Sequence, residues 1–480
     1  MKPRMSAREK VAQMVCADFR FELPDYERIT DAVKAGVGGV CLFGGSIFDI
    51  ASFVNGLQNL AKFPLLVASD YENGAGQQVG GATVLPSNMA VGATGSEELA
   101  ELKGRVTARE AKALGVPWIL APVLDLQVRA ENPIVNTRAF GADPALVARL
   151  GRAFARGVRS EGALACGKHF PGHGDVSTDS HLELPVLDDP GPGLAPFREA
   201  AEELDSIMVA HLVVKSIDGE RPATLSAKVV DGLLRDDLGY GGLVATDALM
   251  MGAITRTIDA AEAVVRAAEA GNDVLLYPAD PLEAVDALEK ALQTGRLNEG
   301  RIDRAVARIL DAKKRCGLNE SRIADPGAVE RIVGCDDHQK AAARIAEASV
   351  TKLRGGFPVR KARLELVTDG GIEPKVFRDE LDRRGVISKD SDVGLIALSS
   401  RVRAFQGHVG IDPKTLANAR AKLTGTKRIV AVSFGNPYVH REVASDAAIC
   451  LYDDSEASQR AAARALVGEI PMPGRLPVSL

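Results

Sequence analysis

An α/β architecture, a (β/α)8 TIM-type barrel followed by a smaller α/β region with a mostly parallel sheet, is predicted by three observations. The first is length: 480 residues exceed one ordinary core, and a large barrel accounts for most of a first domain. The second is alternation. Over the first two thirds, short continuous apolar runs alternate with helical segments, the pattern of parallel strands buried on both faces. The third is that these runs meet polar residues at or near their C-terminal ends: Asp70, Asp125, Lys168 with His169, His211 and Asp247. Alternation alone also admits a large open sheet; charged strand ends favour a barrel, whose C-terminal rim carries the active site.

In chain order, "MKPRMSAREKVAQMVCADF" is interrupted by Arg8, Glu9 and Lys10 and reads as an amphipathic helix, not a signal peptide. Seven apolar runs follow, at 37–43, 64–70, 118–126, 163–170, 206–214, 242–249 and 272–278. Between them, segments such as "SEELAELKGRVTAREAKALG" and "DAAEAVVRAAEAG" are helical in period and end in Gly, as helices prefer. From about residue 300 further helices lead away from the barrel. A second region has strands at 362–370, 393–400, 428–435 and 447–454. The division expected is 1–345 for the barrel with its trailing helices and 350–480 for the second domain.

The net charge of −5, with Lys and Arg interspersed among Asp and Glu, argues against a nucleic-acid partner. Six scattered cysteines without a CxxC pair read as reduced thiols. No apolar run reaches the length of a membrane span, so the expectation is a cytoplasmic protein with no membrane partner; the oligomeric state is left open.

The stretch "GKHFPGHGDVSTDSHLELP", residues 167–185, gathers three of the seven histidines on a segment that Gly and Pro keep from being a helix. It is a metal site, an acid–base site or a polar loop. His169 and His173 are four apart, but Pro171 and Gly172 forbid the helix that would align them, and His211 is the only further histidine at a strand end. No metal is therefore expected. For acid–base chemistry, Asp247 ends an apolar run as a carboxylate nucleophile should, and Asp179 beside His181 pairs a carboxylate with an imidazole.

Taken together, "KHFPGHGDVSTDSH", "ATDALMMGAI" and "APVLDLQVRAENPIVNTRAFGADP" resemble glycoside hydrolase family 3, in its β-N-acetylhexosaminidase branch. "IVAVSFGNPYV" and the final "SEASQRAAARALVGEIPMPGRLPVSL" are similar to the α/β sandwich domain of the two-domain members. The resemblance implies a retaining exo-β-N-acetylglucosaminidase without cofactor, acting on a small glycoside and associated with peptidoglycan recycling. Asp247 matches the nucleophile, His181 the general acid/base and Asp179 its partner. Lys168, His169, Asp70 and Arg138 match sugar contacts. Gln78 departs from the pattern, standing where an Arg is expected; it is a neutral anchor if it lines the pocket. His211 is open between pocket lining and core, His173 is expected to shape the Gly-Pro turn, and Asp125 to orient a cation. Rival expectations are another family 3 exo-glycosidase, such as a β-glucosidase, a phosphorylase of N-acetylglucosaminides, and a catalytically silent sugar-binding protein.

Overall fold

The computed structural model describes residues 5–176, 183–401 and 410–480. Eight parallel strands form the first sheet: β1 (Val15–Arg20), β2 (Gly39–Phe43), β3 (Leu66–Ser69), β4 (Trp118–Ile119), β5 (Leu164–Phe170), β6 (Ser206–Val209), β7 (Leu243–Thr246) and β8 (Leu275–Leu276). Their order is β7-β6-β5-β4-β3-β2-β1-β8. A parallel bridge between Ala245 and Val274 joins the two ends, with the Thr246 N–H donating to the Val274 carbonyl at 3.0 Å. The sheet thus closes into the expected barrel.

β1 corrects the sequence expectation of seven runs. The N-terminal helix is only Ala7–Gln13, opened by a Ser6/Glu9 capping box. One residue later the chain is already a strand, with Val15, Cys16 and Ala17 fully buried. No Gly or Pro separates the two elements, so their apolar residues merge into one pattern. The 118–126 run is also shorter as a strand than it reads. Pro122 has no N–H for the ladder, although its carbonyl still accepts from the Lys168 N–H at 3.1 Å. The 206–214 run divides into β6 and the short strand Val213–Val214, which pairs with Val186–Leu187 and Asp218–Pro222 in an accessory sheet.

A second sheet holds β9 (Thr351–Arg354), β10 (Arg363–Asp369), β11 (Val393–Ser400), β12 (Arg428–Gly435) and β13 (Ala447–Leu451), in the order β9-β13-β12-β11-β10. Only β9 runs antiparallel to its neighbour. One apolar cluster gathers Phe377, Leu395, Val430 and Phe434, another Ile396, Leu398, Leu416 and Ala431. Alternate residues of β11 and β12 thus serve opposite faces, each covered by helices.

The two sheets meet through the helix Asn88–Thr94. Its Met89, Ala90 and Ala93 pack with Tyr438, Cys450 and Tyr452. Ser87 donates through Oγ to the Tyr452 carbonyl (2.9 Å) and through its N–H to Asp453 Oδ2 (3.2 Å). The C-terminal segment returns to the barrel: Arg475 N–H donates to the Ala93 carbonyl (2.8 Å), and the Pro477 carbonyl accepts from Ala142 N–H (3.0 Å). Among the described residues no helix is long and apolar enough to cross a membrane.

Candidate active site

A cavity of about 330 Å³ opens at the C-terminal ends of the barrel strands. Its wall includes Arg20 from β1, Phe43 from β2, Asp70 after β3, Lys168 and His169 from β5, Met208 from β6, Asp247 after β7 and Tyr277 after β8. Parallel strands in register deliver their ends to one level, which is why residues so distant in sequence converge.

One side of the cavity is a compact ion cluster. Lys168, 2 % exposed, donates to Asp70 Oδ1 at 2.6 Å and reaches Glu72 Oε1 at 2.7 Å. Arg138 grips Glu72 with both arms of its fork, Nε to Oε2 at 3.0 Å and Nη2 to Oε1 at 2.7 Å. Burial alone would raise the Glu72 carboxyl, but Arg138 and Lys168 overcome it and hold the group well below the usual carboxylate range. Burial would likewise lower the Lys168 ammonium; Asp70 and Glu72 hold it above its ordinary value. All four groups are charged and mutually oriented, so hydroxyl or amide groups of a ligand meet fixed donors and acceptors.

The next turn of wall is built on Asp125, which is fully buried. It accepts from the backbone N–H groups of His169 (3.2 Å) and His173 (2.6 Å), and its Oδ2 lies 2.6 Å from His169 Nδ1. Asp125 therefore orients the His169 ring and the loop that follows it. Burial opposes its charge, but His169 and the His173 N–H keep its carboxyl below the ordinary range. The two glycines of the loop are demanded by space and backbone. Gly172 holds φ +121, and a Cβ at Gly174 would lie 1.8 Å from the Leu126 carbonyl oxygen. Asn132 staples this loop to the segment before Arg138. Its Nδ2 donates to the His173 and Gly174 carbonyls, and its Oδ1 accepts from the Ile134 and Val135 N–H groups.

His173 lines the cavity besides shaping the turn. It is 1 % exposed, and neither ring nitrogen has a hydrogen-bond partner among the described residues. Burial pushes its pKa down to about 4, and burial does the same to His440 in the turn Pro437–Arg441 beside the second sheet. Both are neutral when folded, while the unfolded chain titrates them near 6.5. A depressed folded-state pKa means that stability is complete above about 6.5 and is lost as pH falls towards 4, by on the order of 3 kcal/mol per histidine. The urea midpoint is expected to fall steadily from pH 7 to 4.5, and less steeply in His440→Gln. An unchanged midpoint down to pH 5 would contradict the assignment.

Asp70, Arg138, Lys168, His169 and Asp247 are brought together around the cavity; two other residues singled out in the sequence are not. Gln78 ends the turn Ala75–Gln77 and is not among the residues that line the cavity. His211 is fully buried outside the lining, with Nδ1 2.7 Å from Thr224 Oγ1 and Nε2 2.9 Å from the Ala248 carbonyl; it braces the residue that follows Asp247. Asp247 is half-buried, its Oδ1 accepting from the Ala248 N–H at 2.7 Å. Asp179 and His181 lie outside the described residues.

Sequence reasoning missed Glu72, Asn132, Arg20 and Tyr277. Glu72 had a signal: it stands two after Asp70, and alternate residues of an extended chain share a face. Arg20, whose guanidinium sits 4.5 Å from the Phe43 ring centroid, was hidden with β1. Among the described residues no group of three His, Cys, Asp or Glu side chains could hold a metal ion.

Residues 6–312 match the glycosyl hydrolase family 3 N terminal domain. A β-N-acetylglucosaminidase/β-glucosidase of Cellulomonas fimi is 32% identical over 379 residues, covering 75% of this chain and 67% of that protein. The structure of a family 3 β-N-acetylglucosaminidase from Paenibacillus sp. str. FPU-7 superposes with a TM-score of 0.88 at 30% identity, covering 99% of both chains. A β-glucoside phosphorylase, BglX bound to 2FGlc, superposes with a TM-score of 0.90 at 26% identity, covering 99% of this chain and 94% of that one.

Proposed function

This chain belongs to glycosyl hydrolase family 3, a family of glycoside hydrolases, and from that premise we propose that it is a retaining exo-β-N-acetylglucosaminidase. The observation that carries the proposal is the cavity itself. Asp247 shares one small chamber with Asp70, Lys168 and Arg138, which the buried Glu72 behind them ties together, a nucleophile facing a rigid polyol cradle. A volume near the lower end for ligand sites suits one terminal sugar. The relatives named as β-N-acetylglucosaminidases support the choice of sugar.

In the proposed reaction the Asp247 carboxylate attacks the anomeric carbon while His181 gives its proton to the departing glycosidic oxygen. The sugar is then an ester of Asp247. His181, now neutral, takes a proton from water, whose oxygen bonds to the anomeric carbon and releases the carboxylate. Asp179 orients the imidazole; these two roles rest on the sequence motif. Lys168, Arg138, Asp70 and His169 hold the ring substituents. The division into 1–345 and 350–480 is likewise our reading, supported by the separate apolar clusters of the two sheets. We also place the protein in the cytoplasm, recycling cell-wall N-acetylglucosaminides; six free thiols support the compartment.

The test is a comparison of leaving groups. In His181→Ala, glycosylation of an unactivated N-acetylglucosaminide should slow about 10²-fold or more beyond that of an activated aryl one, since only the former needs the proton. Equal losses would remove His181 from the acid role. Phosphate as the second nucleophile is favoured by the likeness to a phosphorylase. A neutral imidazole spares phosphate a like-charge repulsion of a few kcal/mol, and its oxygen would displace Asp247 from the anomeric carbon to give a sugar 1-phosphate. Mass spectrometry of wild-type products in phosphate buffer separates the two, free N-acetylglucosamine alone favouring hydrolysis.

A further inference from the structure

Lys103, on the helix Glu97–Ala113, is an ammonium with no solvent exposure. Its acceptors are two neutral amides, Asn88 Oδ1 at 2.7 Å and Asn73 Oδ1 at 3.2 Å. Burial pushes its pKa down to about 7, with Asp453 and Glu72 pulling it back up. A buried charge held this way is a poor device for stability, since a well-packed apolar side chain avoids the desolvation cost.

Both amides lead to the same place. Asn73 follows Glu72 directly. Asn88 Nδ2 donates to the Arg138 carbonyl at 2.7 Å. One ammonium thus ties the backbone on each side of the Glu72–Arg138 fork. Asn88 also opens the helix capped by Ser87, whose N–H is held by Asp453 at the end of β13. We infer that Lys103 is a positioning residue for the sugar cradle, fixing the Glu72–Arg138 fork through Asn73 and Asn88 and joining that fork to the second sheet.

The inference rests on Arg138 being a sugar contact, and the test separates the two. With an activated aryl N-acetylglucosaminide and the full chain, Lys103→Met should lower kcat/KM about 10- to 100-fold, chiefly through KM. In an Arg138→Ala background the same substitution should lower it less than about twofold, because the group it positions is gone. Asn73→Ala, which removes one acceptor from a half-buried loop, should show a smaller loss of the same kind and keeps the test decisive if Lys103→Met does not fold. The inference is overturned if KM is unchanged in folded Lys103→Met or Asn73→Ala, or if the full loss persists without Arg138. An unchanged KM in Arg138→Ala itself would overturn the cradle assignment, and this inference with it.

Discussion

Asp247→Ala is expected to lower kcat by roughly 10⁴- to 10⁶-fold, the scale on which enzymes lose an essential nucleophile. The fold should survive. Asp247 is half-buried at a strand end and bonds locally to the Ala248 N–H, outside the apolar core that holds the barrel together. Circular dichroism and the thermal midpoint check the fold, and single-turnover kinetics with an activated aryl glycoside check the rate. Azide, small enough to enter the space left by the carboxylate, should restore part of the rate and give a glycosyl azide of inverted configuration. A folded variant with near-normal turnover would remove Asp247 from the nucleophile's role.

The second large effect is on stability as well as rate. Glu72 is 2 % exposed and takes two bonds from Arg138 and one from Lys168. In Glu72→Ala, Lys168 keeps Asp70, but Arg138 loses the carboxylate it forks. Breaking one partner out of a buried pair costs about 3–5 kcal/mol; the Arg138 side chain, 31% exposed, recovers some hydration and favours the lower end. The accompanying loss in kcat/KM should be about 10²-fold or more. Glu72→Gln keeps the shape and should recover stability more than activity. Because Arg138 and Lys168 hold the Glu72 carboxyl below its ordinary value, this contribution is fully present above about pH 4.5 and declines only under more acid conditions. Urea denaturation at pH 7 measures it; a loss under about 1 kcal/mol with intact kinetics would show that the cluster does not frame the site.

Asp70, Lys168, His169 and Asp247 were legible because parallel strands announce themselves as apolar runs, and a polar residue closing such a run has few places to go but the rim. Arg138 had no such signal; it sits in the irregular Asn136–Arg138 turn and was found only through resemblance. β1 and with it Arg20 were lost because helix and strand adjoin without a breaker. His173 illustrates a different limit: the burial of its ring depends on how the loop folds over Asp125, and no spacing in "FPGHGD" records that. Gln78 shows the converse, a position matched by pattern whose turn does not take it to the cavity.

The segment Arg475–Pro477 gives the enzyme a particular order of completion. It bonds to Ala93, on the helix whose first residue holds the Arg138 carbonyl, and to Ala142, four residues beyond Arg138. During synthesis the barrel strands leave the ribosome hundreds of residues earlier, and N-terminal parts of a chain begin folding first. A nascent chain can therefore hold a closed barrel while the stretch bearing Arg138 still lacks its final braces. A ribosome that stalls late would leave a particle with most of the barrel's core and an unfinished sugar cradle.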